Sequence, residues 1–157
     1  MPLVDHVTSA RDGKKVLVSV VAAPLVFFVP DDVVVDRVGN VYSVALVNNQ
    51  ILSTLKSITV TKKTDINEHE FKTFVQTVPA FIKEQYDILW KSPHEIYLKP
   101  VQGGATHIIR YDKIPTAQQL AFGQQLIEQN KNKKKEERVV DFRFSDQIVL
   151  GLANRTR

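Results

Sequence analysis

The side chains of this sequence that could do chemistry are histidines and carboxylates, and they are widely separated. Four histidines occur, His6, His69, His94 and His107. His69 stands between two glutamates, but neighbouring residues on a helix point in different directions and cannot hold one metal ion together. His94 and the glutamate after it begin a zinc-helix motif, yet the second histidine, which supplies the other ligand, is missing. The histidines therefore predict no metal site.

The sequence also lacks the motifs of a catalytic nucleophile and of a phosphate-binding loop. The sequence has no cysteine, which excludes a cysteine nucleophile, a thiolate zinc site and a disulfide framework. Asp31 and Asp32 are adjacent in a turn that follows a proline, where carboxylates are usually solvated turn formers. No serine lies in a G-x-S-x-G elbow, and Gly103-Gly104 lacks the further glycine and lysine of a phosphate loop. We therefore expect a protein that is not an enzyme and binds no cofactor.

The positive charge of the chain is modest and local. Lys and Arg number 21 against 17 for Asp and Glu, which gives a net charge of +4. Much of the excess lies in "KNKKKEER", residues 131–138. This run suggests an alternative function, the binding of nucleic acid or another anionic surface. A solvated loop between a helix and a strand is the simpler interpretation, because no aromatic side chain lies among the lysines to stack on bases.

One apolar segment resembles the core of a secretory signal. Fourteen uncharged residues, 16–29, follow Lys14 and Lys15, and a signal core is likewise short and apolar after a basic start. The segment is too short to cross a bilayer, which takes about 20 residues as a helix. Pro24 and the many valines favour extended structure instead. We expect paired strands here.

The hydrophobic pattern predicts an α+β fold, a mostly antiparallel β-sheet with two flanking helices. Strand signals occur at 7–10, 15–21, 25–29, 33–36 and 41–47, and later at 86–90, 94–101 and 106–111. Turn-forming residues separate most of them, among them Asp12-Gly13 and Gly103-Gly104. The first fifty residues are therefore expected to be almost wholly strands and turns.

Two segments carry the three- and four-residue apolar spacing of a helix. The first covers 66–82; Pro79 should kink or end it, and Asp65 with Glu68 resembles a capping box. The second covers 117–129 and begins after Thr116, a good capping residue. Its residues expected to face the core are Ala117, Leu120, Ala121 and Ile127.

The segment near the C-terminus, "VVDFRFSDQIVLGL", has the period of a strand. One side is expected to hold Val140, Phe142, Phe144, Ile148 and Leu150, and the other Asp141, Arg143, Ser145 and Gln147. Asp146 interrupts the apolar side, and interruptions of this kind are common at sheet edges. An edge strand can accept an extended peptide as a further strand. The alternative is a terminal strand paired on both sides inside the sheet.

Three stretches, in this order, resemble one protein family. They are "KKVLVSVVAAPLVFFVPDDVVVDRVGNVYSV", "EIYLKPVQGGATHIIRYDK" and "RVVDFRFSDQIVLGL". Within the first, the matching positions are Pro24, Val35, Asp36, Gly39, Asn40, Val41 and Tyr42. Within the last, they are Val140, Asp141, Phe142, Arg143 and Phe144. The chain resembles the extracytoplasmic part of the bacterial cell division protein FtsQ, called DivIB in Gram-positive bacteria.

The resemblance implies a domain organisation and a location. Residues 1–23 would be the C-terminal hairpin of a POTRA-like domain, and residues 24–157 an FtsQ/DivIB-like β domain. Members of the family are anchored in the inner (plasma) membrane by a single helix, which this chain does not contain. The implied location of this part is extracytoplasmic, in the periplasm at the division septum.

The resemblance also implies a function and a site. Such proteins are non-catalytic scaffolds of the divisome that bind the FtsB and FtsL subunits, and FtsB adds a strand beside the near-terminal strand. Carried over by position, Phe144 is a partner-contacting aromatic, and Ser145, Asp146, Gln147 and Ile148 lie on the docking strand. Leu152 stands where the best-known members have a contacting tryptophan, so we expect a smaller anchoring area there. Proline at Gln147 is expected to abolish partner binding.

Overall fold

A computed structural model describes residues 4–12, 15–22, 24–30, 33–129, 138–144 and 147–152. For residues 4–12 and 15–22 and for Leu152 it describes the backbone alone. These residues form two β-sheets and four α-helices. The mixed α+β class predicted from the sequence is confirmed.

The first sheet is a two-stranded hairpin. Strands β1 (Val4–Asp12) and β2 (Lys15–Ala22) pair antiparallel and, within the described chain, with no other strand. The hairpin predicted around the Asp12-Gly13 turn is therefore present. Its assignment to a POTRA-like domain that ends at residue 23 stays a prediction.

The second sheet has nine strands in the order β11-β10-β9-β8-β7-β6-β3-β4-β5. The strands are β3 (Leu25–Val29), β4 (Val33–Asp36), β5 (Val41–Ser43), β6 (Lys56–Val60), β7 (Tyr86–Ser92), β8 (Glu95–Pro100), β9 (Thr106–Ile109), β10 (Arg138–Asp141) and β11 (Val149–Leu152). Five of its eight strand pairings are antiparallel, and the pairs β3–β6, β6–β7 and β9–β10 are parallel. The mostly antiparallel sheet is thus confirmed, and β5 and β11 are its edges.

The helices are α1 (Asn49–Leu52), α2 (His69–Thr77), α3 (Ala80–Gln85) and α4 (Ala117–Gln129). The expectation of two helices is wrong in number for two reasons. Proline cannot continue a helical hydrogen-bond ladder, so Pro79 divides the first predicted helix into α2 and α3. In addition, the predicted strand 41–47 ends at Ser43 and continues as a 3₁₀ turn, Val44–Leu46, and then α1.

One predicted helix cap is confirmed and the other is wrong. Before α4, the Gln119 N–H donates to Thr116 Oγ1 at 3.3 Å, and Gln119 Oε1 accepts from the Thr116 N–H at 2.8 Å. This reciprocal pair is a capping box. Before α2, Glu68 makes no side-chain capping bond. Asp65 is instead buried and accepts a hydrogen bond from the Trp90 indole at 3.3 Å.

Helices α2, α3 and α4 cover one face of the nine-stranded sheet. Along β7 the buried residues Tyr86, Ile88 and Trp90 alternate with exposed ones, as a strand with one buried face requires. The rings of Phe71 and Phe74 in α2 lie 5.1 and 5.5 Å from that of Trp90. The core therefore lies between this face and the helices.

Helix α4 covers the end of the same face that lies near β10. Leu120 and Ile127 are buried, as expected, but Ala117 and Ala121 are exposed. Gly123 is buried, and a Cβ there would lie 2.8 Å from Phe142 Cζ. The helix therefore approaches the sheet most closely at a glycine rather than at the predicted alanines.

The turn after β4 contains part of the sequence that resembles FtsQ. Asp36 is 1% exposed, and its carboxylate accepts hydrogen bonds of 2.8 to 2.9 Å from two backbone N–H groups of the turn, the Asn40 amide and the Tyr42 hydroxyl. Gly39 has φ +86°, and a Cβ there would lie 2.9 Å from Lys72 Cβ. The D-x-x-G-N-x-Y spacing thus builds a buried turn that packs on α2.

Candidate edge-strand docking site

The C-terminal edge of the large sheet is strand β11. It pairs antiparallel with β10 from Arg138↔Leu152 to Asp141↔Val149, and no other described strand lies beside it. Val149 and Leu150 are 39% and 40% exposed. Proteins often protect an exposed edge strand with charged residues or proline. The sequence of β11, Val-Leu-Gly-Leu, contains neither.

The single continuous strand predicted for 140–150 is wrong, because the chain forms a hairpin here. Strand β10 ends at Asp141, and β11 begins at Val149. The Asp141 carboxylate accepts the Arg143 N–H at 3.0 Å and the Arg143 guanidinium at 2.6 to 3.0 Å. A hydrogen bond from a backbone N–H to the aspartate side chain two residues before it turns the backbone out of the extended conformation. The hydrogen bond to Asp141 also raises the pKa of the Arg143 guanidinium.

The direction of the β11 backbone groups follows from the pairing of β10. The Phe142 N–H donates to the Ile108 carbonyl at 2.8 Å, so Phe142 and Val140 direct their N–H groups at β9. Backbone groups alternate along a strand, and those of Val139 and Asp141 therefore face β11. Their partners are Gly151 and Val149. The N–H and C=O of Leu150, between those two, consequently point away from the sheet and are available to another strand.

A groove of about 530 Å³ extends to Gln147 and Ile148, the two residues that lead into β11. Its walls are formed by helix α4, the segment after β9 and the described residues between β10 and β11. Its apolar lining includes Ile114, Phe122, Leu126, Phe142, Phe144 and Ile148. Phe122 and Phe144 are 52% and 46% exposed, and the Lys113 ammonium donates to the Phe144 carbonyl at 3.3 Å. The groove can receive an apolar side chain next to a strand added at β11.

Two ion pairs lie on the open side of the sheet, one on β7 and β8 and one directly after β10. Lys91 contacts Glu95 at 2.9 Å, and Glu95 also accepts a hydrogen bond from the Tyr97 hydroxyl. The Tyr97 bond, followed by that of Lys91, lowers the pKa of Glu95. Arg143 is held by Asp141 at 2.6 Å. These pairs favour a partner that binds through backbone and apolar contacts over one that binds through charge.

The predicted site residues fall into three groups. Phe144, Gln147 and Ile148 all line the groove, with Ile148 half-buried against the core. Leu152 is the last residue of β11. Ser145 and Asp146 lie outside the described residues. The described residues Phe144, Gln147 and Ile148 are not in a strand, so these predicted docking residues precede the edge strand instead.

Two exposed residues were missed by the sequence analysis. Phe122 lies on α4 and lines the groove, and Val149 begins β11. The position of Phe122, beside the Leu120 and Ile127 stripe rather than within it, was a usable signal. A large aromatic outside the buried face of a helix often marks a contact surface.

The described residues contain no candidate metal site and no membrane-spanning helix, and most of the basic run lies outside them. Over those residues, no group of three or more His, Cys, Asp and Glu side chains could hold a metal ion. No helix among them is both long and apolar enough to cross a membrane. Residues 130–137, which contain most of the basic run, lie outside the described part. Arg138, at the end of the run, begins β10 and donates to the Ile127 carbonyl at 2.9 Å.

Comparison with known proteins identifies no family. No family model matches the sequence, and no curated protein is significantly similar to it. The resemblance to FtsQ therefore depends on the three sequence stretches alone.

Proposed function

We propose that this chain is a non-catalytic scaffold of the bacterial division septum that binds FtsB- and FtsL-like subunits. The partner adds a strand to β11, the exposed edge of the nine-stranded sheet. The proposal includes the location that the resemblance implies, on the periplasmic side of the plasma membrane in a single-pass protein. The observation that carries it is an uncharged edge strand whose Leu150 backbone groups face outward.

The surroundings of β11 support strand addition over a purely polar contact. Main-chain hydrogen bonds give affinity in such complexes, and pockets for alternate side chains give specificity. Leu150 and Val140 are paired residues, so both point to the helix-covered face, on the side of the groove. A partner strand beside β11 would therefore direct every second side chain to the face on which the groove lies. Exposed Phe122 and Phe144 at the groove provide the aromatic surface on which interface energy usually concentrates.

The test is a titration of the purified chain with a fluorescently labelled peptide from the C-terminal part of an FtsB-like subunit. Leu150→Pro removes the outward N–H, and Leu150→Ala removes the same side chain but keeps that N–H. We expect Leu150→Pro to bind at least about tenfold more weakly than Leu150→Ala, because a hydrogen bond is lost and the ring obstructs the added strand. Proline is better placed here than at Gln147, which precedes β11.

The controls separate this function from the alternative. Proline is tolerated where an edge residue points its N–H to solvent, so both variants should keep the circular dichroism spectrum of the unmodified chain. Equal affinities of Leu150→Pro and Leu150→Ala would show that no strand is added at this position. Affinity that falls steeply between low and moderate salt would instead favour an anionic ligand bound by the basic run.

A further inference from the structure

One buried histidine is not explained by the proposed docking function. His107 lies in β9 and is 1% exposed, and neither of its ring nitrogens has a hydrogen-bond partner among the described residues. Buried polar atoms are nearly always hydrogen-bonded, and leaving one unpaired costs about 1–3 kcal/mol. The neutral ring is therefore held in place by packing alone, and a charged ring would have no compensating contact there.

Aromatic rings from two other elements enclose His107. The Tyr86 ring of β7 and the Phe142 ring after β10 each lie 5.6 Å from it, with Phe142 in an edge-on orientation. Burial lowers the pKa of His107 from 6.5 to about 4. The ring thus stays neutral at pH 7 and can take up a proton in mild acid only if its surroundings open.

The titratable groups around His107 do not offset a positive charge. His107 borders a cleft whose lining contains two further titratable residues, Tyr86 of β7 and Glu128 of α4. Glu128 is exposed and accepts a hydrogen bond from Gln124 at 3.2 Å. Helix α3 contributes Phe81 and Gln85 to the cleft, and β8 contributes Pro100. The adjacent residues paired with His107, Leu98 on β8 and Val140 on β10, are apolar.

The least costly way to hydrate the ring is to open the end of the sheet. Toward the interior, β9 is joined to β8 by three antiparallel pairs, and β8 is in turn joined to β7 by six pairs over the main core. Toward the edge, β9 and β10 are joined by three parallel pairs, from Val139↔Thr106 to Asp141↔Ile108. Strand β11 pairs with β10 and so can move with it. Separation at β9–β10 would uncover the side of the ring that Phe142 now covers.

We propose that His107 is an acid-sensitive switch, whose protonation releases the β10–β11 hairpin from β9 while the remainder of the sheet stays folded. The open form binds its proton with the ordinary histidine pKa of 6.5, and the closed form with a pKa of about 4. The linkage relation then gives an increase of about 20-fold in the open-to-closed ratio between pH 7 and pH 5. The sign follows because the open form binds more protons, so acid favours it.

Hydrogen exchange measured by NMR between pH 7 and pH 5 tests this switch without any partner. After correction for intrinsic exchange rates, the protection of the Val140 and Phe142 amides, which face β9, should fall about 20-fold. Ile88 and Ile96, on β7 and β8, report on the rest of the sheet and should change far less. In His107→Gln, which cannot take up this proton, the hairpin amides should lose no more protection than Ile88.

Three outcomes would overturn the switch. They are constant protection of Val140 and Phe142 in the unmodified chain, an equal loss at Ile88, and the same acid loss in His107→Gln. If His107→Gln does not fold, the NMR titration of the His107 ring in the unmodified chain decides the point, because a closed-state pKa near 6.5 leaves no driving force for opening.

The consequence for partner binding rests on the proposed function. If β11 is the dock, the apparent affinity for the FtsB-like peptide falls between pH 7 and pH 5 in proportion to the closed chain that is lost, by at most about 20-fold, and stays level in His107→Gln. Loss of hairpin protection without any peptide binding at pH 7 would refute the dock and leave the switch intact. Peptide binding at pH 7, together with hairpin protection that does not change with pH, would refute the switch and leave the dock intact.

Discussion

The contact between Asp141 and Arg143 gives a quantitative prediction, because it ends β10 and so shapes the docking edge. We consider Asp141→Asn, which keeps one oxygen for the Arg143 N–H but removes the charge and one acceptor. The Asp141 side chain is 11% exposed and that of Arg143 is 34% exposed. Hydrogen bonds to charged groups contribute roughly 1.5–3 kcal/mol, and the partly solvated arginine places the loss near the lower end. We expect the free energy of unfolding to fall by about 2 kcal/mol, a decrease of about 6 °C in melting temperature for a chain of this size.

The assay is urea unfolding at pH 7, followed by fluorescence. Trp90 is the only tryptophan of the sequence and is fully buried, so its emission reports on the core. The control is Asp112→Asn, since Arg110 and Asp112 are also two residues apart and form a side-chain ion pair at 2.7 Å, with side chains 36% and 42% exposed. We expect no measurable change for the control, because exposed ion pairs contribute little. Equal losses in the two variants would refute the role given to the buried contact.

Three further substitutions test the packing around the site. Gly39→Ala should lower the free energy of unfolding by about 2 kcal/mol in the same assay, because φ is +86° and the new Cβ would lie 2.9 Å from Lys72 Cβ. Gly123→Ala should weaken both stability and peptide binding, since its Cβ would lie 2.8 Å from Phe142 Cζ and push α4 from the sheet. Phe122→Ala should reduce peptide affinity by about tenfold and leave the unfolding midpoint unchanged, because this ring is 52% exposed.

The predictions from sequence were most accurate where structure is set by near neighbours. Strands β3 and β4 have the predicted bounds, because a proline and two aspartates separate two valine-rich runs. The division of the first helix at Pro79 and the cap at Thr116 are likewise local effects. The Asp65–Glu68 cap was wrong because a contact with Trp90, 25 residues away, holds Asp65 instead. Strand β6 was missed for the same reason, since its partners β3 and β7 come from distant segments.

The site was also predicted only in part, because some of its contacts join residues that are distant in the sequence. A pattern of alternating residues located the apolar C-terminal segment, and Val140 and Leu150 do share a face. The pattern could not show that they share it across a hairpin, because the turn depends on one side chain, Asp141, bonding to Arg143. Phe122 was missed because the groove joins α4 to residues about twenty positions further along the chain.

The two edges of the sheet differ in a way that favours partner binding at one of them. Strand β5, at one end, has three residues, and a very short edge strand offers few backbone groups to another chain. Strand β11, at the other end, is one residue longer, and the residues that lead into it line an apolar groove; neither edge strand contains a charge or a proline. An edge left unprotected in this way invites aggregation unless a partner covers it. Two Lys or Glu substitutions on β11, at Val149 and Leu150, should therefore lower both self-association and peptide affinity. The same change on β5, at exposed Ser43, should alter neither, and static light scattering together with the peptide titration distinguishes these cases.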